Sequence, residues 1–422
     1  MSTNVPTLGM ATKVWAKIGV FSFGGPAAQI SLMHREIVDD RKWLSEQQFL
    51  NALSFCMLLP GPEAMQLATY AGWRLHGTLG GLIAGLLFVL PGALVMLVLS
   101  VLYAAFGQVP LVDALFLGIK ATVVIVVIEA LLRVSKKALH GPAHWTIAAL
   151  AFTGIFALKI PYPLIVIAAG LYGYAFAQKL TTENHAEALQ ENASATMTKI
   201  ALWLALWFAP LLALRFTLPT SILNEIGVFF SKLAVVTFGG AYAVLAYMGQ
   251  DVVENSSWLT AGQMMDGLGL AETTPGPLIL VTQFVGFMAA HADGGYWLAI
   301  AATLVTLWAT FVPCFLWIFV GAPYIDWILT RPRLKGALTA ITAAVVGVIL
   351  NLSIWFALHV FFQTVETVSW GPIQTSLPNL GTIIWPAVFI AIGAGFALLK
   401  FHIGIIKVLT AAAFSGWLAS LF

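Results

Sequence analysis

Ser22-Phe23-Gly24-Gly25-Pro26, with Trp43-Leu44 and Pro60-Gly61-Pro62-Glu63 downstream, returns 215 residues later as Thr237-Phe238-Gly239-Gly240, Trp258-Leu259 and Pro275-Gly276-Pro277. Slid by that distance, residues 17–80 lie on 232–295 without a gap, and 17 of the 64 positions are identical. Chance similarity between apolar segments copies Leu and Val; here Gly, Pro and Trp are copied, so the chain is read as a duplication. Near-identities keep their chemistry as well. Glu36 faces Asp251, Asp39 faces Glu254, and Trp-Leu-Ser-x-x-Gln faces Trp-Leu-Thr-x-x-Gln. The last pair is a capping box, with Ser45 and Thr260 as N-caps and Gln48 and Gln263 reaching back, which predicts helices from about Glu46 and Ala261.

The rest of the chain says what was duplicated. Of 422 residues, 60% are hydrophobic and 9% charged, with a mean hydropathy of +0.92; soluble domains carry about 25% charged residues. The charges fall between apolar runs of bilayer-spanning length, about 20 residues, which predicts an all-α polytopic membrane protein. A β-barrel would instead show alternation over about 10 residues. Spans are expected at 79–106, 111–133, 144–159, 163–178, 200–217, 296–321, 336–361, 381–399 and 403–421. Met1–Lys13 lacks the cationic start and apolar segment of a secretory signal, so the first membrane helix is expected to act as its own address. The net charge of +2 gives no reason to expect a nucleic-acid partner. Cys56 and Cys314 lie in apolar runs at unrelated spacing and read as packing residues.

Basic residues assign sidedness. The loop after the first FGG segment holds Arg35, Arg41 and Lys42, whereas its counterpart from Gln250 to Ala261 holds no Lys or Arg. Gly107–Asp113 holds none either, but the matching later loop holds Arg331, Arg333 and Lys335. By the positive-inside rule the two halves are expected to have inverted topology, as in many secondary transporters. The expected division is a first repeat over 1–180, a polar linker over 181–198, a linking transmembrane helix over 199–217, and a second, inverted repeat over 218–422. Within it, 46–72 and 261–290 are expected to be re-entrant hairpins folded at their Pro-Gly-Pro tips. Whether the FGG segments are re-entrant or kinked full spans stays open.

Two prolines and a glycine stop a helix, and irregular backbone at membrane depth survives only where protein or water satisfies it. New helices are expected at Glu63 and Leu278, and a helix N-terminus attracts anions. The candidate substrate-binding residues are therefore Gly24, Gly25, Gly61, Glu63, Gly239, Gly240, Thr274 and Gly276, with the duplicated cations Lys17 and Lys232. Glu63 and Glu272 flank the two breaks and are the proton-coupling candidates, because a neighbouring anion and burial both favour a protonated carboxyl. Capping is the plainer role for Glu63, and snorkelling for the lysines. His76 and His291 align and read as cap or loop contacts; Lys120 and Glu129 share one apolar span. No HExxH, Gly-x-Ser-x-Gly, nucleotide loop or metal-ligand cluster is present, so no enzyme, cofactor or metal is expected.

These residues together, Phe23-Gly24-Gly25-Pro26, Trp43-Leu44, Pro60-Gly61-Pro62-Glu63, Thr237-Phe238-Gly239-Gly240 and Thr274-Pro275-Gly276-Pro277, resemble the long, two-domain chromate transporters over nearly the whole chain. The resemblance implies export of chromate, with sulfate as analogue or competitor, across the bacterial inner membrane. The partners it implies are a small oxyanion and the lipid bilayer, with a homodimer left open. A carrier or channel for another anion, and a membrane-embedded enzyme or scaffold, are the alternative readings.

Overall fold

The computed structural model describes residues 6–176, 193–238, 240–329, 331–371 and 373–421. The first half builds α1 (Leu8–Phe21), α2 (Gly25–His34), α3 (Glu46–Cys56), α4 (Glu63–Phe106), α5 (Pro110–Ala138), α6 (Pro142–Phe156) and α7 (Tyr162–Ala175). After α8 (Ala193–Thr217) come α9 (Ile222–Val236), α10 (Ala241–Gln250), α11 (Ala261–Thr273), α12 (Val281–Gly321), α13 (Ile325–Leu329) and α14 (Pro332–Phe361). A hairpin of β1 (Val365–Trp370) and β2 (Ile373–Pro378) precedes α15 (Trp385–Gly395) and α16 (Ile405–Ala419).

A helix covers most of each expected span, the end of 163–178 lying outside the described residues. Among the described residues, five helices are long and apolar enough to cross a membrane: α4, α5, α8, α14, and α12 taken with the turns that flank it. By contrast, α3 with 11 residues and α11 with 13 rise only about 16 and 20 Å, short of the roughly 30 Å hydrocarbon core. Both begin at the expected caps. Ser45 Oγ accepts from Gln48 N while Gln48 Oε1 accepts from Ser45 N, and Thr260 and Gln263 repeat the exchange.

The duplication reaches individual backbone angles. Lys42 and Ser257, equivalent positions, both take positive φ, at 54° and 51°, and Trp43 N and Trp258 N bond back to Ile37 O and Val252 O. Past the breaks the gapless register fails. Leu278–Leu280 form a 3-10 turn with no counterpart in the first half, so α12 starts three residues late. Both α4 and α12 contain a sharp non-helical turn, at His76-Gly77 and at Gly294-Gly295. His76 is thus structurally equivalent to Gly294 and not to His291. Two further departures concern the connections. The linker expected at 181–198 lies mostly outside the described residues, and from Ala193 it is already helix α8. The β-hairpin was not expected at all; its strands pair antiparallel from Val365 with Pro378 inward.

Contacts divide the chain into two units, each drawing on both halves of the sequence. One comprises Met1–Val101, Lys179–Ala241 and Ala271–Pro332. In it α12 packs on α8 and α9, and Trp203 stacks on Phe315 at 5.9 Å. The other comprises Leu102–Gln178, Tyr242–Leu270 and Arg333–Phe422, with α5 packed on α15 and α16. Here Gly118 lets backbones meet: a Cβ on it would fall 1.8 Å from Ala412 O. Small residues at crossings of this kind are how membrane helices gain close dispersion contact where water supplies no hydrophobic drive.

Candidate functional site

Both Pro-Gly-Pro breaks lie in the first unit. Pro60 and Pro62 carry no amide hydrogen, so the break has one donor between them, Gly61 N. It donates to Thr237 O at 2.8 Å, in the segment that leads into the second FGG motif. Gly276 N donates to Ser22 O at 2.9 Å, before the first FGG motif. Each half thus fastens its break to the other half's glycine segment, and the two bonds relate equivalent residues.

The freed carbonyls are met by buried glutamines. Gln29 Nε2 donates to Gly276 O at 2.6 Å and to Ser22 O at 3.3 Å, while Gln66 Nε2 donates to Pro60 O at 2.7 Å. Space is tight around both breaks. A Cβ on Gly61, whose φ is +123°, would fall 2.8 Å from Gln66 Nε2 and 2.9 Å from Cys314 Sγ. A Cβ on Gly92 of α4 would fall 2.0 Å from Pro275 O. The Oε1 atoms of Gln29, Gln66 and Gln283 are buried with no hydrogen-bond donor among the described residues. Acceptors of that kind suit water or a proton-bearing group, so donors for an anion must come from elsewhere. Gln66 N is the first α4 amide to bond back, to Pro62 O. Ahead of it, Ala64 and Met65 stand in the helix's first turn, where amides have no intrahelical acceptor.

The predicted site residues separate into groups. Gly61, Glu63 and Gly240 lie together, since Gly61 bonds to Thr237 and a Cβ on Gly240 would lie 3.8 Å from Glu63 Oε1, whereas Gly276 lies with Ser22 and Gln29. Gly24 caps α2 in a left-handed conformation and is exposed; Gly25 follows with φ 77°. Gly239 lies outside the described residues. Thr274 is buried and donates its hydroxyl to Ala271 O at 3.0 Å. Glu272 is buried beside the second break, and Lys232 is exposed.

Lys17 is held elsewhere. Its Nζ bonds Glu36 Oε1 at 2.6 Å, and Arg41 takes Glu36 Oε2 at 2.6 Å. Burial alone pushes the Glu36 carboxyl upward, but the Lys17 hydrogen bond and the charges of Arg41 and Lys17 outweigh it and hold the carboxyl below the usual range. Nearby, His34 bridges Glu46 at 2.7 Å and Asp39 at 3.2 Å. The hydrogen bond to Glu46, assisted by the charges of Glu46 and Asp39, raises its pKa against the effect of burial.

In the second unit, long-range pairs join groups that the sequence leaves apart. Tyr103 donates to Asp266 Oδ2 at 2.7 Å, and Lys120 Nζ stands 3.5 Å from Asp266 Oδ1. Glu129, in the same span as Lys120, pairs with Arg133 one turn on. A cavity of about 260 Å³ is lined by Lys159, Tyr162, Tyr247, Asp251 and Glu254 among others. Two carboxylates against one lysine make it a poor seat for an oxyanion. His76 donates to Pro6 O at 2.7 Å and His291 stacks on Phe287, both loop or packing contacts. Cys56 and Cys314 are buried free thiols.

Long apolar helices interrupted by a duplicated set of Gly-Pro breaks define an all-α polytopic membrane protein. The sequence profile described as "Chromate transporter" matches residues 11–174 and 224–417. The chain belongs to the chromate transporter family, a family of transporters and not of enzymes. It is 33% identical to the chromate transport protein of Pseudomonas aeruginosa over 411 residues, 95% of this chain and 90% of that one. It is 28% identical to a probable chromate transport protein of Synechococcus elongatus, covering 81% of this chain and 83% of the relative. The chromate transport protein of Cupriavidus metallidurans is also 28% identical, over 81% of each chain. No solved structure matches the chain.

Proposed function

We propose that this protein is a secondary transporter that exports chromate from the cytoplasm across a bacterial inner membrane. Family membership supports the class, and the names of three relatives support the substrate. The observation that supports the mechanism is the pair of exchanged hydrogen bonds, Gly61 to Thr237 and Gly276 to Ser22, which ties each half's broken backbone to the other half. The dianion sits between the two tips. First-turn amides and the FGG segments around Gly24, Gly25, Gly239 and Gly240 donate to it, Thr274 and Lys232 complete the shell, and Lys17, paired with Glu36, serves only the approach. Repeats 1–180 and 218–422, joined by the linker at 181–198 and helix 199–217, are inverted relative to each other, and one set of elements rocks against the other.

Direction follows from electrostatics. Moving one charge through 100 mV is worth about 2.3 kcal/mol, and a dianion leaving a cell that is negative inside gains twice that. The potential alone drives export. Glu63, beside Gly240, and Glu272, beside the second break, add coupling to protons, because a bound dianion favours the protonated carboxyl. Sulfate, of the same tetrahedral shape and charge, competes.

Radiolabelled chromate uptake into inside-out vesicles, with voltage and pH gradients collapsed separately, tests the reading. Uptake that saturates, responds to an interior-positive potential and is inhibited by sulfate is expected. Absence of chromate uptake under any gradient contradicts it.

A further inference from the structure

Lys120 stands between two carboxylates of unlike exposure. Asp113, in the first turn of α5, has a side chain 74% exposed, whereas the Asp266 side chain on α11 is 7% exposed. The ammonium lies 3.7 Å from one and 3.5 Å from the other. Lys120 is two turns along α5 from Asp113, about 10 Å deeper at 1.5 Å per residue. Side chains on a helix lean toward its N-terminus, so Lys120 reaches back toward Asp113 while touching α11 sideways. The helices leave no slack at this point: a Cβ on Gly269 would fall 2.3 Å from Ile119 Cγ2. Tyr103, from the end of α4, donates to the second Asp266 oxygen at 2.7 Å. Among the described residues, the titratable groups that face Asp266 are Lys120 and Asp113 from α5 and Tyr103 from α4.

A buried pair that only held helices together would need one partner for its ammonium, and an apolar pair of the same volume would serve stability as well. Here the ammonium has two partners at nearly the same distance, one in reach of water. Ionisable groups in this setting are expensive and mark ion or proton pathways.

We infer that Asp113, Lys120, Asp266 and Tyr103 form a proton-exchange site of the carrier, opening to water on the Asp113 side. A hydronium ion gives its proton to Asp266 Oδ1 and leaves as water; the new O–H bond neutralises the carboxylate. Lys120 keeps its three protons and moves its pairing to Asp113, and the cluster gains one positive charge. Tyr103 stays bonded to the other oxygen and fixes the carboxyl plane. Release of the proton reverses the exchange. Asp266 is on α11 (Ala261–Thr273), the helix that carries Glu272 in its last turn.

This inference rests on the transport reading, and the experiment separates the two. Purified full-length protein is placed in liposomes holding a trapped pH dye, and chromate flux and proton movement are recorded together. In the wild type, chromate flux carries a pH change with it. Asp266→Asn lowers proton movement about tenfold or more and removes the pH dependence of flux, the loss expected when a group that must exchange a proton no longer can. Asp113→Asn keeps proton movement but displaces its pH profile. Should Asp266→Asn fail to fold, the charge-balanced K120Q/D266N pair takes its place with the same expected loss. Wild-type proton movement in these Asp266 variants overturns the inference. Chromate flux without proton movement in the wild type also overturns it and leaves transport standing, whereas the absence of chromate flux overturns the transport reading and the inference with it.

Discussion

Gly276 donates its amide hydrogen to Ser22 O at 2.9 Å, and the same bond joins their repeat equivalents with the halves exchanged, from Gly61 to Thr237 at 2.8 Å. A glycine between two prolines offers one amide, and here that amide is committed to the partner half. The exchange makes each half's broken backbone depend on the other's, so neither break is expected to form alone.

Glu36 is buried between Lys17 and Arg41, and removing its charge leaves two cations facing each other. Because Lys17 is half exposed, solvent screening reduces the penalty. Glu36→Gln is expected to cost about 1–3 kcal/mol, read as a lower thermal unfolding midpoint in detergent. The pH dependence has a definite sign. The folded carboxyl titrates lower than the unfolded one, so its contribution is complete above the ordinary glutamate pKa and disappears as pH falls through the depressed folded value. The mutant loses that acid limb.

His34 gives the opposite slope. Its folded pKa is raised, so its bridge to Glu46 and Asp39 contributes fully below the ordinary histidine pKa and is lost as pH rises through the elevated value. Unfolding midpoints measured from mildly acid to alkaline pH are expected to fall across that window in the wild type and to stay flat there in His34→Gln.

Inverted topology predicts unlike labelling of equivalent positions. In a background with Cys56 and Cys314 replaced by alanine, Arg41→Cys is expected to react with a membrane-impermeant maleimide only in inside-out vesicles, and Ser256→Cys only in right-side-out ones. Labelling of both from one side contradicts the inversion.

The fold was legible where a few residues dictate local structure. Ser45-x-x-Gln48 and Thr260-x-x-Gln263 placed two helix starts, and the apolar runs placed the spans, because capping and bilayer thickness act over short stretches of chain. The three-residue slip at Leu278–Leu280 was hidden, since His76 and His291 match by type while the turns that matter are at Gly77 and Gly295. The hairpin from Val365 to Pro378 left a signal only in composition: the β-formers Val365, Thr367, Val368 and Trp370 are followed by a Gly371-Pro372 turn dipeptide. For the site, glycines and prolines declared the breaks, but the acceptors of Gly61 and Gly276 come from the opposite half. Likewise nothing near Asp266 in sequence points to Lys120 or Tyr103. Contacts between distant segments leave no local pattern, so only the folded chain discloses them.

The most direct test of the account is the initial rate of chromate uptake into inside-out vesicles for Gly61→Ala and Gly276→Ala, corrected for folded protein, beside the control Gly9→Ala. Gly9 has open space around its Cα, whereas Gly61 and Gly276 combine positive φ with close neighbours. A displacement of about 1 Å in a positioned site is worth up to about 10²-fold in rate, so each break variant is expected to lose about tenfold or more while Gly9→Ala keeps the wild-type rate. Wild-type uptake by both folded break variants would contradict the claim that the anion passes between the two interlocked tips.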